Sequence, residues 1–236
     1  MPISTRRLTE IRFMISDLLQ RGTWQELYND CGTNDLELAR SVANIFSMFE
    51  PSHVWKFVDY VTKLPADKRR EKRDSTLVVC LTIGRIGKSN TRKALHTLRL
   101  LLSDDHMLRQ PVEASLSNLW IFDTRTTAKE LFESWILKGL GNDDLQEIAV
   151  LSLAYLCSQE PKTVEPFLTK IMKLNNSNII AAKDAAKNLA SEYGIASEIR
   201  PQQSSIKKKI RRNKTNLPLI GKRKRGPSKG TVSSSE

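Results

Sequence analysis

Two stretches, Leu101–Leu119 (LLSDDHMLRQPVEASLSNL) and Leu137–Leu156 (LKGLGNDDLQEIAVLSLAYL), share one pattern. Each passes through an acidic turn, Asp104-Asp105 or Asn142-Asp143-Asp144, and then carries apolar residues at steps of four and three. These are Val112, Leu116 and Leu119 in the first and Ala149, Leu153 and Leu156 in the second. Each residue of an α-helix advances by about 100°, so such steps bring three side chains onto one face. The acidic or amide side chain ahead of the stripe is N-cap chemistry, because its oxygen accepts from a first-turn N–H that has no helical partner.

Working outward, the same triplet recurs at Val42/Phe46/Phe49, Val79/Ile83/Ile86 and Ala186/Ala190/Tyr193, with successive offsets of 37, 33, 37 and 37 along the chain. Asn34-Asp35 and Asn175-Asn176 repeat the capping turn. Breaks are expected at 31–34, 50–52, 64–66, 87–90, 102–104, 123–126, 139–143, 159–163 and 175–177. They cut residues 1–200 into helices of roughly 8–20 residues. The first helix runs from Ser4 to Gln20, with Leu8, Ile11, Ile15, Leu18 and Leu19 on one stripe and Gly22 past its end. No stretch alternates with period two and no Asn-Gly hairpin signal occurs, so strands are not expected. Aromatic content of 6% suits helix-on-helix packing of Leu, Ile, Val and Ala better than a β-sandwich.

The two opening stretches, together with Arg73–Gly87 (RDSTLVVCLTIGRIG), resemble the HEAT-repeat family, and the resemblance covers most of residues 20–195. It implies an all-α fold, a right-handed α-solenoid of about five helix pairs whose second helices line a concave recognition surface. Residues 1–22 would be a capping helix, 23–198 the repeats and 199–236 a disordered basic tail. Arg109 stands at the family's arginine position and Gln146 occupies the equivalent place one unit later. Pro111, inside a second helix, is expected to remove one helix hydrogen bond and bend the axis.

The formal charge of +12 is unevenly placed. Of the 38 basic residues 11 fall in 201–236, with a single acid, Glu236; the remaining 27 are met by 25 acids in residues 1–200. The body is therefore nearly neutral and the tail carries the net charge. Tail composition, rich in Pro, Gly, Ser and Lys and devoid of aromatic residues, cannot bury enough apolar surface to offset ordering. Its clusters, Lys207–Arg212 (KKKIRR) and Lys222–Arg225 (KRKR), have the spacing of a bipartite nuclear localisation signal. The same cations can displace condensed counterions from nucleic acid.

The residues selected for binding nucleic acid or an acidic partner are Arg69, Arg70, Lys72, Arg73 and Arg92 in the body. In the tail they are Lys207, Lys208, Lys209, Arg211, Arg212, Lys222, Arg223, Lys224 and Arg225. The run Lys68–Arg73 (KRREKR) is read as opening a second helix, where cations oppose the macrodipole and call for an anion nearby. The alternative is a solvated charged face. Lys88 and Lys93 extend the same patch with Arg92, and Lys183 and Lys187, on the last second helix, are further candidates.

No catalytic residue, metal ligand set or cofactor motif is found: Cys31, Cys80 and Cys157 are widely spaced and read as small buried hydrophobes, and the three histidines are scattered. Gly84 and Gly87 read as a helix C-terminal signal rather than a phosphate loop. Trp24, Trp55 and Trp135 lie on apolar stripes and read as core. A second, weaker resemblance is to the HEAT-like DNA alkylation repair proteins, which implies an alkylpurine glycosylase. The nearest constellation is Trp120 with Asp123 and Arg125, at a spacing that departs from that family's motif.

The expectation is a non-enzymatic scaffold or adaptor that binds nucleic acid, DNA or RNA, or a protein of a nucleoprotein complex. A protein–protein scaffold with a localisation tail and the glycosylase are the alternatives. No apolar run approaches the length of a membrane span and no signal peptide is apparent, so the chain is expected to be soluble and intracellular. It would be nuclear in a eukaryotic cell and cytoplasmic otherwise.

Overall fold

The computed structural model describes residues 4–120, 123–139, 142–173, 182–184 and 186–187. The chain divides into two compact units, Met1–Ile195 and Ala196–Glu236, and all the described residues belong to the first. Among them every regular element is helical and none is a strand. The α-helices are α1 (Thr5–Arg21), α2 (Trp24–Asp30), α3 (Leu36–Phe46), α4 (Pro51–Lys63), α5 (Ala66–Glu71) and α6 (Arg73–Ile86). They continue with α7 (Thr91–Asp104), α8 (Arg109–Trp120), α9 (Thr124–Glu130), α10 (Asp143–Gln159) and α11 (Pro161–Lys173). A π-helical stretch, Leu131–Ile136, follows α9. None of the described helices is long and apolar enough to cross a membrane.

Two of the capping turns read from the sequence start α3 and α10. Asp35 accepts from the N–H groups of Glu37 and Leu38 at 2.9 and 3.2 Å, and Asn142 from Leu145 at 3.0 Å. Asn90 and Asp123 do the same for Lys93 and Thr126, each at 3.0 Å. Such a bond satisfies one orphan first-turn donor. α1 begins after Ser4, whose Oγ accepts from the Arg7 N–H. It ends at Gly22, whose φ of 69° is the left-handed conformation that a residue without Cβ adopts freely.

The stripe triplets form the interior. Val42, Phe46, Val79, Ile83, Ile86, Val112, Leu116, Leu119, Ala149, Leu153, Leu156 and Ala186 are buried, and Phe49 packs half-buried against them. The triplet-bearing helices meet in series: α3 packs on α6, α6 on α8 and α8 on α10. The alternate helices do likewise, α4 with α7, α7 with α9 and α9 with α11. Trp135 is fully buried, Trp55 nearly so, and Trp24 packs on the core from its edge.

Several details depart from the sequence reading. Lys68–Arg73 does not open one helix: Lys68–Glu71 belong to α5, the chain breaks at Lys72, and Arg73 starts α6. Pro111 lies in the first turn of α8, where its missing N–H costs the least. α7 runs through Asp104, so the break expected at 102–104 falls at Asp105. Gly87 does end α6, but Gly84 lies inside it. A Cβ on Gly84 would stand 2.7 Å from the Ser115 Cα. Ser115 Oγ in turn donates to a carbonyl, with those of Cys80 and Pro111 both at 2.7 Å. The absent side chain at residue 84 is what lets α6 and α8 approach so closely.

Residues 199–236, Asn175-Asn176, Ala190 and Tyr193 lie outside the described residues, so the tail and the last triplet are not placed beyond Ala186.

Candidate functional site

Of the cations selected from the sequence, Arg69 points inward. It is 6% exposed, and its guanidinium donates to the carbonyls of Val61 (3.4 Å), Thr62 (2.9 Å) and Leu64, and to the Asp104 carboxylate. It thus caps the C-terminal end of α4 while pairing with the end of α7. A cation suits that place, because the last carbonyls of a helix lack partners and carry partial negative charge.

Arg73, the first residue of α6, donates from Nε to Asp105 at 2.7 Å. Asp105 is itself buried, and its other oxygen accepts from the Met107 N–H at 3.0 Å. Arg109, the first residue of α8, reaches Asp144 at 3.4 Å and Glu147 at 3.1 Å on α10, as well as Glu113 at 3.0 Å on its own helix. The hydrogen bond that Arg109 donates to Glu147 pushes the Arg109 pKa up, ahead of the opposing effect of burial. Arg73 and Arg109 each start a helix and are each tied to acids 32 to 38 residues further along the chain. The anion that the cation-led start of α6 calls for is supplied from within the chain.

These pairs span 32, 35 and 38 residues. That is the repeat length, and it was the available signal. Opposite charges one repeat apart in sequence become neighbours once consecutive units pack. Other inter-unit bonds have the same span: Trp55 Nε1 to Ser89 Oγ at 3.1 Å, and Lys93 Nζ to Asp59 at 2.8 Å. Lys93 also lies 4.6 Å from the Trp55 ring centre, so it is a packing cation.

Arg70, Lys72 and Arg92 remain exposed, with no ion pair among the described residues. Arg70 and Lys72 open onto a cleft of about 340 Å³ that also touches Asn29, Glu71, Arg73 and Asp74. Carboxylates thus alternate with the cations, and Arg92 is not among the lining residues. Lys187 pairs with Asp184 at 3.4 Å. All nine tail cations selected from the sequence lie outside the described residues.

A second feature was not read from the sequence. The large hydrophobic side chains that are exposed among the described residues are Phe13, Met48, Met107, Leu151 and Tyr155. Leu151 and Tyr155 lie on α10, Met48 just past the end of α3 and Met107 just before α8. Met48 and Tyr155 occupy the same register place, shared with Arg85 and Asn118, at offsets of 37, 33 and 37. Leu151 is the counterpart of half-buried Ala114, and Met107 that of Asp144.

The catalytic alternative gains little from this geometry. Asp123 spends its carboxylate capping α9, Arg125 is exposed, and the Trp120 side chain lies outside the described residues. Burial pushes the Cys31 thiol up to about 12 and raises Cys80 as well, which keeps both protonated and unreactive at neutral pH. Among the described residues no group of three His, Cys, Asp or Glu side chains is arranged to hold a metal ion.

Comparison with known proteins finds no match, whether to a family model, to a curated protein or to a solved structure.

Proposed function

We propose that the chain is a non-enzymatic adaptor of HEAT-like, solenoid construction, whose helical body binds protein and whose basic segment 201–236 binds nucleic acid. The observation that carries this reading is the fate of the body's cations. Arg69, Arg73 and Arg109 are paired with acids 32 to 38 residues away, and Met107, Leu151 and Tyr155 stand exposed. Exposed aromatic and Met side chains beside paired charges suit a protein surface. A phosphate backbone instead favours cations without internal partners. Basic residues in excess of acids are concentrated in segment 201–236, where the sequence has 11 of them and one acid.

The test is a salt titration of DNA and RNA binding by the whole chain and by a form ending at residue 200. The whole chain should lose affinity by about a thousandfold between 50 and 200 mM salt, the behaviour of a protein with roughly six or more phosphate contacts. The shortened form should show no retention on either polymer at physiological salt. Unchanged affinity after the deletion would sink the assignment of nucleic-acid binding to the segment.

The charge balance of the body also favours a second reading, a protein scaffold whose basic segment serves only localisation. Under that reading the whole chain does not bind nucleic acid at physiological salt, and neutralising Lys222–Arg225 excludes it from the nucleus.

A further inference from the structure

Two clefts on the body adjoin. The larger, of about 480 Å³, is bordered by Gln25 and Asn29 of α2, Leu64 at the end of α4, and Lys68, Glu71 and Lys72 of α5 and its end. The smaller, of about 340 Å³, continues past Arg70 to Arg73 and Asp74 at the start of α6. Asn29, Glu71 and Lys72 line both, so the two form one trough with these residues at its middle.

Hydrogen bonding orients the amides at that point. Tyr60 on α4 donates its O–H to Gln25 Oε1, and Gln25 Nε2 donates in turn to Asn29 Oδ1 at 3.3 Å. This relay occupies the Asn29 acceptor and leaves the Asn29 NH2 group without a partner among the described residues. Of the charged groups, Glu71 is paired with Lys68 at 3.0 Å and Arg73 with the buried Asp105. Arg70 and Lys72 are exposed and in no ion pair among the described residues. Asp74, the remaining acid, stands in the first turn of α6, where the helix N-terminus stabilises its charge. Three donors, the Asn29 amide, the Lys72 ammonium and the Arg70 guanidinium, thus border one cleft and are bonded to no acceptor among the described residues.

A carboxylate suits these donors, because its two oxygens only accept and its bonds from Arg and Lys are charge-assisted. The rest of the lining selects what carries that carboxylate. A phosphate backbone has a negative charge at every step and would run along Glu71 and Asp74. A protein segment can place its charges singly, beside Arg70 and Lys72. Apart from Leu64, Tyr28 and Gly32 the lining of both clefts is polar, which gives the apolar face of a helix little to cover. Polar walls suit an extended segment, whose peptide groups have no partners of their own.

We infer that the trough between α2 and the α5–α6 junction seats an extended acidic segment of a partner protein. One carboxylate of that segment is held by Asn29, Arg70 and Lys72. The inference rests on the protein-binding body proposed above and names the chemistry of its partner.

The experiment uses the whole chain and two labelled peptides of about eight residues, up to roughly 28 Å when extended. One alternates Glu with Thr, whose β-branched side chain disfavours a helix. The other has Gln for every Glu. Segment 201–236 attracts the acidic peptide too, so anisotropy-measured affinities are compared between two variants of equal charge. Arg70→Glu with Lys72→Glu alters the trough, and Arg7→Glu with Arg12→Glu makes the same change on α1. The trough pair should weaken binding of the acidic peptide about tenfold more than the α1 pair does. Asn29→Ala, which leaves the charge unchanged, should weaken it about threefold. The Gln peptide should bind weakly and alike to all of them. All five positions are exposed, so thermal melts should show the fold kept. Arg70→Ala with Lys72→Ala repeats the comparison with a smaller change of charge.

Equal losses for the trough pair and the α1 pair overturn the inference, as does a Gln peptide that binds as tightly as the acidic one. Both outcomes leave the proposed function standing, since the salt titration decides the role of segment 201–236. A single-stranded oligonucleotide whose binding falls as far as the peptide's with the trough pair, and not with the α1 pair, also overturns the inference. That outcome assigns the trough to nucleic acid and counts against the proposed division of roles as well.

Discussion

Lys68–Arg73 and Lys207–Arg212 are six-residue runs of nearly the same composition, KRREKR and KKKIRR, and as sequence they invite the same reading. Their surroundings differ. The first lies in a body where 27 basic residues meet 25 acids, and two of its arginines find carboxylates 35 and 32 residues away, at Asp104 and Asp105. The second lies in a stretch whose single acid is Glu236. A basic run is thus a binding element only to the extent that the fold does not bring acids to it. Here those acids lie 32 and 35 residues along the chain, close to the 33- and 37-residue offsets of the apolar triplets.

The contrast can be broken residue by residue. The largest effect on stability is expected from Arg69→Ala. It leaves the Asp104 carboxylate without its buried partner and strands three carbonyls near the end of α4, so unfolding free energy should fall by about 3 kcal/mol. Urea denaturation measures this directly, and a loss below about 0.5 kcal/mol would mean that the pair is not formed as described. Arg73→Ala should cost about 1 kcal/mol, because its guanidinium is half in water, although Asp105 is buried. Arg70→Ala, between the two, should leave the melting temperature unchanged, since that side chain is exposed and unpaired. If Arg70→Ala destabilised as much as Arg69→Ala, the inward orientation of Arg69 would be refuted. Replacing the six residues 207–212 by Ser and Gln should also leave the melting temperature alone, while removing a large part of the salt-dependent affinity for nucleic acid. That outcome would place the two runs in different classes, one of stability and one of nucleic-acid binding.

Much of the helical framework was legible because it depends on local pattern. The triplets Val79/Ile83/Ile86, Val112/Leu116/Leu119 and Ala149/Leu153/Leu156 are buried as their spacing predicts. Asp35 and Asn142 cap the helices they precede, since an N-cap bond spans only two or three residues. Gly84 was less legible. A glycine near a helix end reads as a terminator, and only the closeness of Ser115 on another helix reveals that it serves packing. The short helix α5 was missed for a related reason. The break at Lys72 is marked by neither Gly nor Pro, whereas Arg69 ties α5 back to the end of α4 through bonds to Thr62 and Leu64.

The candidate sites were legible only in part. Charge runs and apolar stripes can be counted along the chain, but which cations stay free is a question of pairing across units. The exposed apolar side chains were hidden in the same way. Met48, Met107, Leu151 and Tyr155 look like ordinary members of helical stripes until packing shows which side of each helix is covered.

What the sequence determined by itself is what acts within a few residues: the helices, their caps, the buried stripes and the concentration of net charge beyond residue 200. The tertiary structure alone decided which arginines are spent, which apolar side chains remain exposed, and that Asn29, Arg70 and Lys72 border one cleft. The physical reason is range. Backbone hydrogen bonding and amphipathic periodicity are short-range along the chain, whereas ion pairing and exposure depend on groups some 35 residues away, brought together only when the helices pack.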